Sequence, residues 1–272
     1  MGRVASSRGA SCDAQGYIEG VPATVLLDLS AVTKTFGDQI VLAATDLTID
    51  EGSFVSIVGP SGCGKSTLFN IIAGLLAPDA GEVTLEGRNV RGATGQVGYM
   101  LQKDLLVPWR SVEDNITMAA RLTRRVSAAD RDEARQIAQR YGLGDYLDHY
   151  PRALSGGMRQ RVAFMRTLVA HRPLLLLDEP FGALDAQTRL DMQLWLLEVW
   201  RESGRTVLFI THDVDEAIFL SDRIIVMSPR PGRIVADIPN PIARPRDVDV
   251  LTDTAFVAIK AQVLRLLHAR QR

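Results

Sequence analysis

The chain is poor in the features that would place it in several large protein classes. It carries two cysteines in 272 residues. Cys12 and Cys63 are too few for a disulfide framework and lack metal-ligand spacing, so a reducing cytoplasm is the default compartment. The formal net charge is −1, which gives no nucleic-acid footprint. Arginines are scattered through helical patterns rather than blocked, as on solvated faces. No apolar run is long enough to cross a bilayer, and residues 1–20 lack an apolar stretch of signal-peptide length. Any membrane role is therefore expected to be peripheral. No self-similarity recurs at solenoid spacing. Apolar residues are plentiful, at 46%, enough for a substantial core in one domain or a domain with an insert.

The strongest local signal is Gly59-Pro60-Ser61-Gly62-Cys63-Gly64-Lys65-Ser66-Thr67. It fits G-x-x-x-x-G-K-[S/T], a loop whose glycines let backbone N–H groups close around phosphate oxygens. Lys65 is then placed to reach the terminal phosphates, and the Ser66 hydroxyl to ligate Mg²⁺. The run before it, Ser53-Phe54-Val55-Ser56-Ile57-Val58, reads as a strand. The run after it carries Leu68, Phe69, Ile71, Ile72 and Leu75 at helical spacing. Strand, loop and helix together aim a helix N-terminus at an anion. A plain Gly-rich turn does not account for a lysine and two hydroxyls directly after the last glycine, so the loop reads as a nucleotide site. Cys63, beside Lys65 at a helix start, is in a setting that favours thiolate, and Mg–ATP is expected to shield it from a thiol reagent.

Along the chain, residues 1–24 read as a flexible tail. Residues 25–32 and 40–49 look like strands around a turn-rich link that holds Phe36. The helix after the phosphate loop stops at 74–78, and residues 82–85 and 97–101 are short strand candidates. Two S-x-x-D boxes, Ser111 to Asp114 and Ser127 to Asp130, open helices. The second helix carries an Ala134, Ile137, Ala138, Tyr141 stripe and stops at Gly142. Residues 102–170 read as a helical insert within an α/β core. The core resumes at Leu174-Leu175-Leu176-Leu177, an aliphatic run without alternation that suits a strand buried on both faces of a parallel sheet. A helix with Leu190, Leu194 and Leu197 on one face ends at Gly204, and a strand follows at 206–211. Residues 224–227 and 233–237 are late strands. A Pro-punctuated link then leads to a helix over 252–269, whose Phe256, Ile259, Val263, Leu266 and Leu267 are expected to pack on the protein's own core, with docking to a partner as the alternative.

Asp178 and Glu179 follow the buried aliphatic strand directly. There an Asp can hold Mg²⁺ through water, and Glu179 can accept a proton from the water that attacks the γ-phosphate. Without the phosphate loop, the pair would read as two exposed carboxylates at a strand end. His212 closes the next strand, at the sheet edge where ligands bind, although a lone His is more often structural. In Leu154-Ser155-Gly156-Gly157-Met158, Ser155 can cap a helix whose first turn is bared by glycine, a second anion cradle. A capped helix start explains Ser155 but not two adjacent glycines that weaken the helix. One nucleotide does not need two cradles from one subunit, so the second is expected to serve a nucleotide held by another copy.

These ordered motifs resemble the ATP-binding cassette family across nearly all of residues 25–237. The resemblance implies an α/β fold: a P-loop NTPase core with a mainly parallel sheet (25–101 and 171–238), an antiparallel β subdomain, an inserted α-helical subdomain (102–170), and a linker with a C-terminal helix (239–272). It implies ATP and Mg²⁺ as ligands. Gly59 to Thr67 correspond to the Walker A loop, Leu154 to Met158 (with Ser155, Gly156, Gly157 and Met158 toward the nucleotide) to the signature motif, and residues 174–179 to the Walker B strand with its catalytic glutamate. Gln102 corresponds to the glutamine that senses Mg²⁺ and the transport partner, His212 to the switch histidine, and Phe181 to Asp185 to the loop that signals between paired sites. Phe36 sits where the family stacks an aromatic ring under adenine, although tyrosine is commoner there. Met158 replaces the usual glutamine.

Leu105-Leu106-Val107-Pro108-Trp109, Thr211 to Ala217 and Ser228-Pro229-Arg230-Pro231-Gly232-Arg233 resemble the nitrate/sulfonate/taurine-type importer ATPases. The resemblance implies an ATPase that dimerises around two Mg–ATP, docks on an integral membrane permease near Gln102 to Trp109, and works with an extracytoplasmic solute-binding protein at the cytoplasmic face of the membrane. Trp109 as ordinary core is the alternative to a partner groove. A soluble cofactor-assembly ATPase and an exporter ATPase are the rival functions. DNA-repair types are disfavoured because no heptads extend between the phosphate loop and the signature, and translation types because this length admits a single cassette.

Overall fold

The computed structural model describes residues 24–268. Cys12, residues 1–23 of the expected tail, and Ala269 at the expected end of the C-terminal helix lie outside the described residues. Two sheets organise the rest. The first is antiparallel, in the order β2 (Gln39–Asp50), β1 (Val25–Phe36), β4 (Ala80–Leu85) and β5 (Arg88–Asn89). The second has six strands: β10 (Ile234–Pro239), β9 (Arg223–Met227), β3 (Phe54–Val58), β8 (Thr206–Ile210), β7 (Leu174–Asp178) and β6 (Gly98–Met100). All its pairings are parallel except β10 with β9.

The aliphatic run of β7 behaves as its lack of alternation predicts. Leu174 and Leu176 join the core between the two sheets, and Leu175 and Leu177 join the core on the helical side. Helix α1 (Lys65–Ile72) lies between the sheets and buries Leu68, Phe69, Ile71 and Ile72. The opposite face is covered by α5 (Gly156–Leu168), α6 (Ala186–Ser203), α7 (Val214–Leu220) and α8 (Thr254–His268). Phe256, Ile259 and Val263 of α8 are buried against the chain's own core, as expected.

Register places the site. Met100 pairs with Leu177, Asp178 with Ile210, and Val58 with Val226. The strand ends that lead to Gly59, Gln102, Glu179 and His212 therefore share one edge of the parallel sheet, where open α/β sheets bind ligands.

Three expectations are corrected. The link around Phe36 is strand: β1 and β2 stay paired through Phe36 and Gln39, and the turn tightens to Gly37 and Asp38. Ser111 does cap a helix, accepting from the Asp114 N–H, but α2 (Val112–Ile116) is short and α3 (Met118–Thr123) starts afresh after Thr117. In α6 the fully buried face is Met192, Trp195, Leu196 and Val199, with Leu190, Leu194 and Leu197 half-buried beside it. The helix is packed from more than one side, and apolar spacing alone cannot choose among its faces. The second S-x-x-D box is complete. Ser127 and Asp130 exchange side-chain to backbone bonds at the start of α4 (Ala128–Arg140), and Gly142 follows its end with φ 73°.

Candidate nucleotide site

The loop after β3 turns sharply into α1. Gly64 caps that helix with φ 109°, and a Cβ there would stand 2.7 Å from Leu42 Cδ2, so glycine is needed for both conformation and space. Lys65 is 6% exposed, and its ammonium donates to the Gly59 and Pro60 carbonyls at 2.8 and 3.1 Å. The lysine thus belts the loop from inside. Cys63 is 1% exposed, with Sγ 3.9 Å from Lys65 Nζ. Its thiol belongs to the core between the sheets, which corrects the expectation that bound nucleotide shields it from reagents: the fold already does.

At the sheet edge, Asp178 is 6% exposed. Burial pushes its carboxyl above the ordinary range, while the Ser66 hydroxyl pulls it back, Glu179 adds to the rise, and Lys65 and the Tyr99 phenol oppose it. The influence of Ser66 places the end of β7 beside the phosphate loop. The next residue, Glu179, has φ 45°, an uncommon conformation for a non-glycine residue that clusters at functional sites. Its Oε2 accepts from Gln102 Nε2 at 3.1 Å and lies 3.2 Å from His212 Nδ1. Of the expected site residues, Ser66 therefore lies beside Asp178, with the Lys65 charge acting on the same carboxyl, and Gln102 and His212 converge on Glu179.

Among the described residues, no three His, Cys, Asp or Glu side chains gather into a metal cage. Ser66, Asp178 and Gln102 offer hydroxyl, carboxylate and amide oxygens, which fit Mg²⁺, a hard ion that keeps waters and takes one or two protein ligands plus phosphate.

Ser155 caps α5 by accepting from the Met158 N–H at 3.2 Å, and its side of the helix start is exposed. A Cβ on Gly157 would stand 2.9 Å from the Thr188 methyl, so one of the two glycines has a packing reason that sequence reasoning missed. Asp185 caps α6, accepting from the N–H and hydroxyl of Thr188 at 3.1 and 2.7 Å. Those bonds hold its carboxyl below the ordinary range. Among the described residues, no hydrogen bond or ion pair joins Ser155, Gly156, Gly157 or Met158 to the phosphate loop. Phe36 is 49% exposed, with Lys34 Nζ 5.6 Å from its ring centroid. Trp109 and Leu105 are 74% and 54% exposed, so neither is core.

Several supporting residues went unread in the sequence. Arg159 and Arg166 of α5 hold the loop after Gln102, through Asp104 Oδ2 at 3.1 Å and through the Asp104 and Leu105 carbonyls at 2.6 and 2.9 Å. Behind His212, the Thr211 hydroxyl donates to buried Glu216 at 2.6 Å. Arg246 donates to the Ile218, Phe219 and Ser221 carbonyls at the end of α7. No local spacing signals an arginine aimed at remote carbonyls.

The chain is similar to known proteins along most of its length. The family described as ABC transporter matches residues 42–182. A putative ATP-binding protein of Brucella abortus is 42% identical over 249 residues, covering 90% of this chain and 94% of that protein. The taurine import ATP-binding protein of Escherichia coli O157:H7 is 39% identical over 252 residues, covering 90% of this chain and 99% of its own length. A dimeric post-hydrolysis ATP-binding cassette bound to ADP and Pi superposes with a TM-score of 0.69 at 31% identity, covering 80% of this chain and all of that one. The family model spans half of the chain and these relatives nearly all of it, so the chain belongs to the ABC transporter family and is an ATP-binding-cassette ATPase.

Proposed function

We propose that this chain is the motor subunit of a membrane importer for a small anion of the nitrate, sulfonate or taurine type, working as a homodimer around two Mg–ATP. One observation carries the catalytic assignment: a single Glu179 oxygen accepts from Gln102 and lies 3.2 Å from His212 Nδ1, at the edge of the sheet that bears the phosphate loop. The dimer is supported by the dimeric cassette that this chain resembles, and the import direction by the taurine import relative.

In this reading, loop N–H groups and Lys65 bind the β- and γ-phosphates, and Phe36 stacks under the adenine. Ser66, Asp178 and Gln102 would hold Mg²⁺, which when bound would supply charge neutralisation on the phosphate oxygens. Glu179 takes the proton of the attacking water, and His212 contacts the γ-phosphate. The partner's Ser155 closes each pocket from across the seam, with Asp185 beside it. Residues 25–101 and 171–238 form the nucleotide core, residues 102–170 the signature-bearing insert, and residues 239–272 the linker and last helix. Exposed Leu105 and Trp109 suit a permease groove beside the Gln102 loop. The chain would then sit peripherally at the cytoplasmic face of the membrane, and an extracytoplasmic binding protein would deliver solute to the permease. No helix among the described residues is long and apolar enough to cross a membrane.

The test is ATPase activity of the chain with its permease and binding protein in vesicles. Stimulation by nitrate, an alkyl sulfonate or taurine supports the reading. Indifference to all three removes the anion assignment, and full-speed turnover by a strict monomer removes the motor.

A further inference from the structure

The turn between β9 and β10 lies against the outside of the phosphate loop. Arg230 Nε donates to the Gly62 carbonyl at 2.5 Å across 168 residues of chain. Gly232 is closer still: a Cβ there would stand 1.9 Å from the Cys63 carbonyl. The turn is itself fixed. The Gly232 N–H donates to the Val41 carbonyl, its own carbonyl accepts from the Ala43 N–H at 2.9 Å, and Leu42 and Gly232 form a parallel bridge. Within the turn, the Ser228 hydroxyl donates to the Pro231 carbonyl and accepts from the Arg233 N–H.

A phosphate loop binds by turning successive N–H groups inward, which leaves carbonyls facing outward. An arginine that engages one of those carbonyls fixes the peptide plane whose N–H belongs to the next residue. Here that carbonyl is Gly62's and that N–H is Cys63's, which closes a turn on the Pro60 carbonyl at 3.2 Å, so the bond from Arg230 fixes the turn at the middle of the phosphate loop. The same turn is bonded to β2, the strand paired with Phe36. It therefore joins the expected base platform to the phosphate cradle. Lys65 belts the loop from within; Arg230 and Gly232 brace it from without.

We infer that Arg230 is a positioning residue for nucleotide binding, acting through the Gly62–Cys63 peptide of the phosphate loop, with Gly232 as the close-packed seat that lets it reach. The inference rests on residues 59–67 being the phosphate site.

The experiment measures fluorescent mant-ATP and mant-ADP binding, steady-state ATPase kinetics and thermal unfolding for R230Q, R230K and K65A. For R230Q, both nucleotide Kd values and KM for ATP rise by roughly five- to tenfold, as expected from one charge-assisted bond. Its kcat stays within about twofold and its Tm within about 2 °C of wild type. R230K recovers part of the affinity, because an ammonium can still donate to a carbonyl. Should R230Q not fold, R230K carries the same prediction at reduced size. Affinity within twofold of wild type in the folded variant, or a loss that appears only with a matching fall in Tm, overturns the inference. The K65A control separates the two readings. If K65A binds weakly and R230Q binds normally, only the role of Arg230 falls; if K65A binds normally, the phosphate-loop assignment falls as well.

Discussion

Glu179 and His212 meet at one oxygen: His212 Nδ1 lies 3.2 Å from Glu179 Oε2, the same atom that Gln102 Nε2 reaches at 3.1 Å. A carboxylate oxygen that accepts from Gln102 and has His212 beside it is oriented toward the site, which is what a general base toward a single water requires. Glu179→Gln keeps the shape and removes the basicity. Turnover should fall by roughly 10²–10⁴-fold while ATP affinity is retained. Steady-state ATPase and mant-ATP titration check both halves. A variant that still turns over within tenfold of wild type would falsify Glu179 as the base.

How much of this was legible in the sequence depended on how far apart the partners lie. The phosphate loop was readable because its glycines, lysine and hydroxyls are contiguous and flanked by a period-breaking strand and a helix. Residues 174–177 were readable because a strand buried on both faces leaves no alternation. The position of Phe36 came from resemblance alone, and its setting was misread as a link because strand pairing overrode local turn chemistry. The contacts of Arg230 and Arg246 were not legible, although Arg230 lies in the 228–233 stretch that carries the importer resemblance. Each donates to backbone carbonyls 168 and 25–28 residues away, and backbone carbonyls are the same at every position. The fully buried face of α6 was missed because more than one of its faces is covered, so spacing marked only the flank.

Asp130 gives a pH-dependent contribution whose sign can be worked out. Two bonds from Arg124, at 2.6 and 2.7 Å, and further bonds from the Ser127 hydroxyl and N–H hold its carboxyl well below the ordinary range. A depressed carboxylate stabilises the fold above the unfolded pKa, here 3.8, and that stability is lost as pH falls through the lower folded value. Asp130→Asn should therefore lower Tm at pH 7, and the gap to wild type should shrink below pH 3.8. Paired thermal melts from pH 7 down to the acid limit of folding decide it. A gap of constant size would show that the charge is not what Asp130 contributes.

Arg246 is a structural counterpart at the C-terminal end of α7. Its side chain is 1% exposed and also donates to the Ile242 carbonyl at 2.8 Å. Burial lowers its pKa to about 10, still far above neutrality, so it remains charged and donating. Arg246→Met takes the donor from the Phe219 and Ile242 carbonyls, while Asn240 Nδ2 still donates to those of Ile218 and Ser221, a loss of roughly 1–3 kcal/mol. Urea unfolding should show it as a lower midpoint with an unchanged slope. A loss below about 0.5 kcal/mol would mean that water replaces the guanidinium.

The separation of Ser155 from the phosphate loop within one chain leads to the sharpest test of a shared pocket. Suppose each pocket takes its loop from one subunit and its Ser155 cradle from the other. Lys65→Ala then damages both pockets of a homodimer, and so does Ser155→Arg. A mixed dimer differs. The chain with Ser155→Arg still supplies an intact loop, the chain with Lys65→Ala still supplies an intact cradle, and the two meet in one pocket while both lesions fall in the other. Random exchange makes half the dimers mixed, with one sound pocket of two, so activity should rise toward about a quarter of wild type. Neither variant alone, at the same total concentration, should approach that. If each pocket belonged to a single chain, no combination of the two variants could restore a sound one, and the mixture would stay at the mean of its inactive parents.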